Sequence, residues 1–360
     1  MRTIEVELGS NSHQIHAGSG LLAQTGSLLK EKGFSGKLVI ITNPIVKGLY
    51  GDTLSHSLAK DGFKVINLIV PDGEEQKSLE SATRLYQELT ASYAERTTPI
   101  LALGGGVIGD LAGFVSATYS RGVPLVQVPT SLLAQVDSSI GGKVAVDHGQ
   151  LKNKIGPFYQ PRLVIADTDT LRTLPPQELA NGLAEVIKSA AIRNKELFSY
   201  LEDNMGRIKS LEGEVLEEIV FQAAKIKAEV VEKDEKESGL RGILNYGHTI
   251  GHAIESVSDF GIPHGSAVAI GMLAAAKISA KMGLLSESEV SRLSHVIEQA
   301  GLPLKMPNLG IDKLTEAMKH DKKVLNDRIR FVLLKSIGEA IITDKVSMPL
   351  IEEILAGGNE

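Results

Sequence analysis

Short apolar runs alternate with amphipathic stretches in the first half of the chain. Apolar runs of four to eight residues that end in polar or glycine-rich segments are typical of buried β-strands. The predicted strands are Thr3–Leu8, Lys37–Thr42, Phe63–Val70, Pro99–Leu103 and Leu125–Val128. Between them, apolar residues recur at helical spacing, for example in Ser78–Ala94 and Leu111–Tyr119. Strands and helices in alternation predict a mostly parallel sheet with helices on both faces.

The pattern becomes helical after Pro175, because apolar residues now recur three and four positions apart. The predicted helices are Gln177–Ile192, Val215–Lys233, Tyr246–Val257, Ala267–Met282 and Ser286–Ala300. A short β pair is expected near the end, at Ile329–Lys335 and Glu339–Thr343. We therefore expect an α/β fold in two domains, a Rossmann-like domain over residues 1–174 and a mostly helical domain over residues 175–360.

The composition is that of a globular protein that can bury a large core, with 42% hydrophobic and 23% charged residues. A net charge of −6 argues against nucleic-acid binding, which needs a broad basic face. No apolar run reaches the roughly 18 residues of a membrane span, and the first residues show no signal-peptide pattern. The chain has no Cys, which excludes disulfides and thiolate ligands and fits a reducing compartment. We expect a cytoplasmic protein that binds neither nucleic acid nor membrane.

Residues 99–110 read PILALGGGVIGD, an apolar strand that runs through three glycines into a helix. Glycines let a pyrophosphate approach the backbone, and the helix N-terminus supplies N–H groups and a positive dipole. The pattern is not the G-x-G-x-x-G fingerprint, so alone it leaves open a dinucleotide site or a bare strand-to-helix turn. The segment Asp72–Lys77 follows another predicted strand. Glu74 could bond a ribose hydroxyl and Lys77 a phosphate, although a solvated loop is the simpler interpretation of this segment alone.

Residues 246–255 read YGHTIGHAIE, which places His248 and His252 on one side of a helix. A Thr stands where the H-E-x-x-H motif has its Glu, so a zinc protease is disfavoured. His264 follows in HGSAVAIGM, and Glu185 lies on an otherwise apolar helix face, where a metal ion or a lysine one turn away would offset its burial. Spacing alone would make both His248 and His252 ligands of an ion such as Zn²⁺.

Basic and amide side chains are spread through the middle and second half of the chain. A substrate with a phosphate and a carboxylate would require such groups, but each alone is better explained as an ordinary exposed residue of an amphipathic helix. These residues are Lys143, Lys152, Asn153, Lys188, Lys227, Arg241, Asn245, Lys322 and Lys323.

Together these segments resemble the 3-dehydroquinate synthase family. The matching stretches, in family order from about residue 70 to 325, are PDGEEQKS, GGGVIGDLAGF, SRGV, VPTSLLAQVDSSIGGKVAV, LKNKIGPFYQP, TLPPQELANGLAEVIK, LNYGHTIGHAIE, HGSAVAIGM and HDKK. The resemblance implies an NAD-binding α/β domain, a helical metal-binding domain and a homodimer. It implies a lyase of the shikimate pathway that converts 3-deoxy-D-arabino-heptulosonate 7-phosphate to 3-dehydroquinate and phosphate. The implied steps are oxidation by NAD⁺, β-elimination of phosphate, return of the hydride, ring opening and intramolecular aldol closure.

The resemblance also implies roles for individual residues. The ligands of a Zn²⁺ or Co²⁺ ion would be Glu185, His248 and His264, which moves His252 from the metal to the substrate. The NAD-binding residues would be Asn43, Asp72, Glu74, Lys77, Gly105, Gly106, Val107, Asp110, Thr130, Ser131, Lys143 and Lys152. The catalytic residues would be Asp137, Lys188, Lys227, Arg241, Asn245 and His252. Further substrate-binding residues would be Lys143, Lys152, Asn153 and one of Lys322 and Lys323. Arg121 would reach the substrate phosphate from the other subunit.

Two positions depart from the family pattern: Ser266 stands where the usual HGE motif has Glu, and Asn43 stands where an Asp sometimes occurs. A different sugar-phosphate cyclase, acting on glucose 6-phosphate or sedoheptulose 7-phosphate, is an alternative. Lys227 and Arg241 argue against it, because they match positions associated with a carboxylate that those substrates lack. A glycerol-dehydrogenase-like alcohol dehydrogenase would typically read GGGS at the glycine turn and carry Asp in place of Glu185. An inactive paralogue is disfavoured because no expected catalytic position is missing.

Overall fold

The chain folds into two compact units. The computed structural model describes residues 1–149, 151–320, 324–325 and 328–357. The first unit comprises Met1–Leu174 and Leu216–Lys236, and the second comprises Pro175–Val215 and Glu237–Glu360. Within the described part of the chain, no helix has both the length and the apolar stretch needed to cross a membrane.

A mostly parallel sheet forms the centre of the first unit. The strands of this unit are β1 (Arg2–Val6), β2 (His13–Gly18), β3 (Lys37–Thr42), β4 (Lys64–Ile69), β5 (Ile100–Gly104), β6 (Leu125–Pro129), β7 (Val146–His148), β8 (Leu151–Ile155) and β9 (Leu163–Asp167). Seven of them form one sheet in the order β1-β2-β9-β6-β5-β3-β4, and β7 pairs separately with β8. In the large sheet only the pair β1–β2 is antiparallel. The predicted α/β fold with a mostly parallel sheet is therefore confirmed.

Helices cover both faces of this sheet. They include α1 (Thr25–Glu31), α2 (Pro44–Val46), α3 (Asp52–Lys60), α4 (Leu79–Ala91) and α5 (Gly106–Thr118). Val39 and Ile41 of β3 pack in one apolar cluster with residues of α4 and α5. Leu38 and Ile40 of the same strand pack in another cluster with residues of α1 and α3. Because both faces are covered, β5 is buried at every residue, which explains its uninterrupted apolar sequence.

The direction of chain progress across the sheet reverses between β3 and β5. From β3 the chain continues to β4 on one side, and from β5 it continues to β6 on the other. In open α/β sheets, ligands bind at the carboxyl ends of the strands beside such a reversal. Asn43 directly follows β3 and Gly105 directly follows β5. Both residues therefore lie at the edge of the sheet where this architecture binds ligands.

The second unit is mostly helical, as the sequence predicts. Its helices are α6 (Pro176–Arg193), α7 (Lys195–Lys209), α9 (His248–Val257), α10 (His264–Lys281), α11 (Glu287–Gln299), α12 (Ile311–His320) and α13 (Met348–Gly357). Its strands pair as two antiparallel hairpins, β10 (Val324–Leu325) with β11 (Arg328–Ile329) and β12 (Phe331–Ser336) with β13 (Glu339–Thr343). Pro176 occupies the first turn of α6, where its missing N–H leaves no helical hydrogen bond unmade.

Helix α8 (Gly213–Lys233) lies between α7 and α9 in the sequence, within the range that the sequence pattern assigns to the helical domain. By its contacts, the stretch Leu216–Lys236 instead groups with the first unit. Ala224 and Ala228 of α8 share an apolar cluster with residues of β1, β2 and β9. Their small side chains allow this face of the helix to approach the sheet closely.

Candidate active site

Polar side chains gather at the carboxyl edge of the sheet in the first unit. Asn43 donates a hydrogen bond from Nδ2 to Oδ1 of Asp72 (2.6 Å). Its own Oδ1 accepts from the N–H of Val46 (2.8 Å), so it also caps α2. Thr130 and Ser131 follow β6 at the same edge, and Ser131 Oγ accepts from a backbone N–H one turn on (3.3 Å). These four residues of the expected nucleotide set thus occupy the ends of three strands, β3, β4 and β6.

Helix α5 begins at this edge with Gly105 as its cap and with Gly106 and Val107 as its first residues. Gly105 has no side chain with which to cap the helix, so the first N–H groups are available to an anion. A Cβ at Gly104 would lie 2.8 Å from Cβ of Ile108, which shows that the strand enters the helix too tightly for a side chain. The turn fits close approach of a pyrophosphate to the backbone, the chemistry that NAD requires.

Lys77 is a buried cation at the nucleotide edge, only 6% exposed. Its Nζ donates to Oδ2 of Asp110 in α5 (2.5 Å) and also to Oδ1 of Asn153. Burial raises the pKa of Asp110 and by itself would lower the pKa of Lys77, but the Asp110 carboxylate raises the pKa of Lys77 above its ordinary value. The short contact between the two groups fits an ion pair. Lys152, next to Asn153, lies 3.2 Å from Glu74.

Asp137 and Lys227 form another ion pair in the first unit. Lys227 of α8 is buried, and its Nζ donates to both Oδ1 (2.7 Å) and the backbone oxygen (2.8 Å) of Asp137. Lys143, by contrast, is exposed and forms a single β-bridge with Phe158. Two oxygens of Asp137 therefore hold the ammonium of Lys227 in place.

Arg121 lies in an exposed turn after α5. Ser120, Arg121 and Gly122 all have positive φ, at 49°, 64° and 112°. A left-handed conformation at a residue other than Gly costs about 1–2 kcal/mol, and two such residues stand side by side here. Backbone strain of this kind is concentrated at functional sites.

Three potential metal ligands converge in the second unit. Glu185 comes from the middle of α6, His248 is the first residue of α9, and His264 is the first residue of α10. One ligand atom from each lies within 4.8 Å of the others. Nε2 of His248 and Nε2 of His264 lie 3.6 and 3.5 Å from Oε1 of Glu185. The sequence separates these residues widely, so their convergence is a product of the fold.

Two of the distances at this cluster fit a tetrahedral ion. Ligand atoms that bind Zn²⁺ at about 2.0–2.2 Å in a tetrahedron are about 3.3–3.6 Å from one another. Both nitrogens stand at such separations from Oε1 of Glu185, and this oxygen has no hydrogen-bond partner among the described residues. Glu185 is only 1% exposed, and an unpaired buried oxygen is costly. The donor set of one carboxylate and two imidazoles therefore suits a divalent ion with an open position.

The second ring nitrogen of each histidine has its own partner. Nδ1 of His248 lies 3.1 Å from the backbone oxygen of Tyr246, and Nδ1 of His264 lies 3.2 Å from Oε1 of Glu255. Both partners are acceptors, so Nδ1 carries the proton and Nε2 is left to face Glu185. Metal-binding histidines in proteins are held in this way, most often by a carboxylate or a carbonyl. The usual HGE motif of the family has a Glu where this chain has Ser266. In this chain the carboxylate of Glu255 lies beside His264 instead.

Charges at the cluster are strongly coupled. Burial by itself would raise the pKa of Glu185, but the ammonium of Lys188 and the imidazole of His264 hold it well below its usual range. Burial by itself would lower the pKa of His264, but the carboxylates of Glu185 and Glu255 raise it to about 10. The opposite charges of these groups therefore favour the close approach of His264 to Glu185 and Glu255.

Glycines bring the three helices close enough for this convergence. A Cβ at Gly271 of α10 would lie 2.0 Å from the carbonyl oxygen of Gly247, the residue before His248. A Cβ at Gly265 would lie 2.5 Å from the backbone of Asn181 in α6. Gly247 also has a φ of 79°, which favours glycine. These close contacts set the spacing between the ends of the helices that carry the histidines.

His252 lies outside the Glu185 group. Its ring centroid is 5.2 Å from that of His248, and its ligand atom groups instead with those of Glu255 and His264. Spacing alone predicts that His252 binds the same ion as His248, but the structure does not group His252 with Glu185. Glu255, for which the sequence predicts no role, lies beside Nδ1 of His264. The sequence does carry an indication of this contact, because Glu255 is an acid three positions after His252 on an otherwise apolar helix.

Other expected substrate residues of the second unit are also buried or hydrogen-bonded. Lys188 is 2% exposed and pairs with Oε2 of Glu185. Arg241 is likewise 2% exposed, in the 3₁₀ segment Leu240–Asn245. Asn245 Nδ2 donates to Oε1 of Glu237 (2.8 Å). The remaining two expected residues, Lys322 and Lys323, lie outside the described residues.

The chain matches two family models that adjoin one another. Residues 67–181 match the 3-dehydroquinate synthase N-terminal model, and residues 182–324 match the 3-dehydroquinate synthase C-terminal model. A relative from Dehalococcoides mccartyi (strain CBDB1), named 3-dehydroquinate synthase, is 52% identical over 355 residues, which cover 99% of each chain.

Two solved structures share the fold over nearly the full length. The 2-epi-5-epi-valiolone synthase ValA from Streptomyces hygroscopicus subsp. jinggangensis 5008, with NAD⁺ and Zn²⁺ bound, has a TM-score of 0.90 and 27% identity, covering 98% of each chain. A 2-deoxy-scyllo-inosose synthase, complexed with carbaglucose-6-phosphate, NAD⁺ and Co²⁺, has a TM-score of 0.90 and 30% identity, covering 99% of this chain and 100% of the other.

Proposed function

The chain belongs to the 3-dehydroquinate synthase family of enzymes, and from this premise we propose that it converts 3-deoxy-D-arabino-heptulosonate 7-phosphate to 3-dehydroquinate and phosphate. The observation that carries the proposal is the 52% identity, over 99% of both chains, with a relative of that name. A cytoplasmic location, expected from the cysteine-free sequence, is part of the same proposal.

We propose NAD⁺ and one divalent ion, Zn²⁺ or Co²⁺, as the cofactors. Related structures hold NAD⁺ together with Zn²⁺ or Co²⁺. In the second unit, Glu185, His248 and His264 would hold the ion. In the first unit, the groups at the carboxyl edge, including Asn43 and the N-terminus of α5, would hold NAD⁺. When bound, NAD⁺ takes up and returns a hydride, and the ion lowers the pKa of a hydroxyl that it binds.

In the first unit, Lys227 is proposed to bind the substrate carboxylate. Its ammonium is buried and already oriented by two oxygens of Asp137, so little side-chain entropy remains to be lost on binding. A hydrogen bond between an ammonium and a carboxylate is among the stronger ones in proteins. Lys143 and Asn153 are proposed to bind other polar groups of the substrate.

In the second unit, Arg241, Lys188 and His252 are proposed to contact the substrate. The planar guanidinium of Arg241 is buried and suits bidentate binding of a carboxylate. The ammonium of Lys188 lies beside Glu185. His252 lies next to His248, and His252 is partly exposed. An imidazole at that position suits hydrogen bonding to the leaving phosphate.

We propose that the enzyme is a homodimer in which Arg121 serves the active site of the other subunit. The strained, exposed turn at Ser120–Arg121 supports a functional role for this side chain. An Arg121→Ala chain and a Lys188→Ala chain, each inactive alone, should regain activity when they are mixed into heterodimers. Verified heterodimers that show no recovery would contradict the shared site.

Phosphate release tests the proposed reaction. Purified protein, freed of metal by a chelator, is incubated with the heptulosonate phosphate, and phosphate and dehydroquinate are measured. Both products are expected in equal amounts only when NAD⁺ and Zn²⁺ or Co²⁺ are added. Release that persists without metal would reject the metal centre, and release without dehydroquinate would reject the cyclisation.

A related sugar-phosphate cyclase activity is the second candidate. It is favoured by the two structural matches over nearly the full length, which are a 2-epi-5-epi-valiolone synthase and a 2-deoxy-scyllo-inosose synthase. A panel of heptulosonate 7-phosphate, sedoheptulose 7-phosphate and glucose 6-phosphate separates the two candidates. We expect turnover of the first alone, since it is the substrate with a carboxylate for Lys227 and Arg241.

A further inference from the structure

A closed ring of hydrogen bonds holds the hairpin β7–β8 against the nucleotide edge of the first unit. The N–H of Asp147 donates to the backbone oxygen of Lys77 (2.8 Å). The N–H of Asn153 donates to Oδ1 of Asp147 (2.7 Å). Nζ of Lys77 then closes the ring by donating to Oδ1 of Asn153. Asp147 is the member of this ring to which the family resemblance gives no role.

The ring holds Asn153 at both its backbone and its side chain. Asn153 has a φ of 54°, a left-handed conformation that an L residue adopts only at a cost, although Asn tolerates it better than most. Its N–H is satisfied by Asp147, and its amide oxygen is occupied by Lys77. Because the amide oxygen of Asn153 accepts from Lys77, the amide NH₂ group lies on the opposite side of the side chain from Lys77.

The ring is anchored at its other end. Lys77 is buried and also binds Asp110 of α5, the helix whose N-terminus forms the glycine turn. Asn153 is itself exposed, so the hydrogen bonds of the ring fix its position on the hairpin. Because Asp147 connects the hairpin to Lys77 through its backbone and to Asn153 through its side chain, it links the substrate-binding hairpin to the nucleotide edge.

We propose that Asp147 is a positioning residue, whose carboxylate sets the orientation of Asn153 toward the substrate by accepting the Asn153 N–H within the hairpin β7–β8. The inference rests on the proposed function, in which Asn153 contacts the substrate. Asp147 acts through Asn153 and does not touch substrate or NAD⁺.

A double-mutant cycle tests this assignment. Asp147→Ala removes the acceptor of the Asn153 N–H and is expected to raise KM for the heptulosonate phosphate about tenfold, the loss expected for one hydrogen bond to a charged group. Asn153→Ala is expected to raise KM by at least as much. If Asp147 acts through Asn153, the double variant will match Asn153→Ala within about twofold. Effects that multiply, or an unchanged KM in Asp147→Ala, would overturn the proposal.

Two further variants separate positioning from a general effect on folding. Asp147→Asn keeps the acceptor oxygen, so its KM is expected to stay within about threefold of the wild type. Lys154→Ala changes the next, exposed residue of β8 and is expected to leave KM unchanged. The Kd of NAD⁺, measured by calorimetry, should be the same in all single variants of Asp147. A weakening of NAD⁺ binding equal to that of the substrate would overturn the assignment.

Hydrogen exchange provides a readout that is independent of activity. Mass spectrometry of the intact chain should show faster amide exchange in residues 146–155 of Asp147→Ala and the wild-type rate in Lys154→Ala. Unchanged exchange in this segment of Asp147→Ala would overturn the positioning role. If instead the wild type fails to release phosphate while the exchange result holds, the proposed function fails and the role of Asp147 in holding the hairpin stands.

Discussion

Replacing Glu255 by Met should weaken metal binding in the second unit. Glu255 is buried, and its Oε1 lies 3.2 Å from Nδ1 of His264, whose other nitrogen faces Glu185. Met has a similar length but accepts no strong hydrogen bond, so the imidazole loses the group that sets its tautomer and orientation. The ligands themselves remain in place.

The magnitude follows from the contact that is lost. A hydrogen bond to a charged group contributes about 1.5–3 kcal/mol, which corresponds to about 10- to 150-fold in a dissociation constant. Removal of such an outer partner typically weakens metal binding about 10- to 100-fold. The Kd of Co²⁺ should therefore rise about 10- to 100-fold in Glu255→Met. Glu255→Gln retains an oxygen acceptor without the charge, and we expect about half of that free-energy change.

Titration with Co²⁺ measures the effect directly. The visible absorption of bound Co²⁺ reports both its affinity and its coordination geometry in metal-free protein prepared with a chelator. Circular dichroism and NAD⁺ binding verify that each variant is folded. Glu316→Gln, at an exposed position of α12, removes the same charge elsewhere in the unit and should leave the titration unchanged. A Kd for Co²⁺ in Glu255→Met within twofold of the wild type, with an unaltered spectrum, would refute the reasoning.

Three further predictions concern the substrate cations, the helix contacts and the buried ion pair. Lys227→Ala and Arg241→Ala should each raise KM for the substrate at least tenfold with the Kd of NAD⁺ unchanged, since each removes a charge-assisted bond; equal loss of NAD⁺ binding, seen by calorimetry, would contradict the carboxylate assignment. Gly271→Ala places a Cβ 2.0 Å from a carbonyl oxygen and should lower the free energy of unfolding by about 1–3 kcal/mol or more, measured in urea; an unchanged stability would argue against the tight helix contact. Lys188→Met leaves the carboxylate of Glu185 buried without the ammonium of Lys188. The free energy of unfolding of the metal-free protein, measured by thermal unfolding, should therefore fall by about 3–5 kcal/mol, and saturating Zn²⁺ should restore most of that stability. A loss of stability that Zn²⁺ does not reduce would contradict a metal ion bound at Glu185.

The sequence predicts the central strands of the sheet well because their apolar runs are long and end in clear turn signals. Lys37–Thr42 is a strand with those bounds in the structure. The strands β2 and β9 were missed for different reasons. β2 carries His13 and His16, which the fold buries but which read as polar. β9 is an apolar run of the same five-residue length as the predicted β5 and β6, so the same pattern could have indicated it.

Helix α5 shows where local pattern and fold disagree. The apolar spacing predicts a helix start at Leu111, but α5 begins at Gly106. Glycine has a low helix propensity, so the first turn is invisible to the pattern. Packing of the turn against Ile108, and burial of most residues of α5, stabilise it instead.

At the metal centre, the types of ligand could be predicted from the sequence but their grouping could not. His248 and His252 share a helix face, and spacing alone would pair them. The structure instead groups His248 with Glu185 and His264 because glycine contacts bring the starts of α9 and α10 together, near the middle of α6. Such long-range packing leaves no periodic trace in the sequence. Only the resemblance to a family, taken position by position, separated the two histidines.

The convergence of Glu185, His248 and His264 on one ion is tested most directly by anomalous X-ray diffraction at the zinc edge from crystals of the Zn²⁺-loaded protein. One strong peak is expected in each chain, at about 2.0–2.2 Å from an oxygen of Glu185 and from Nε2 of both histidines. A peak at another place, or one that only a single one of these side chains reaches, would contradict the proposed metal centre.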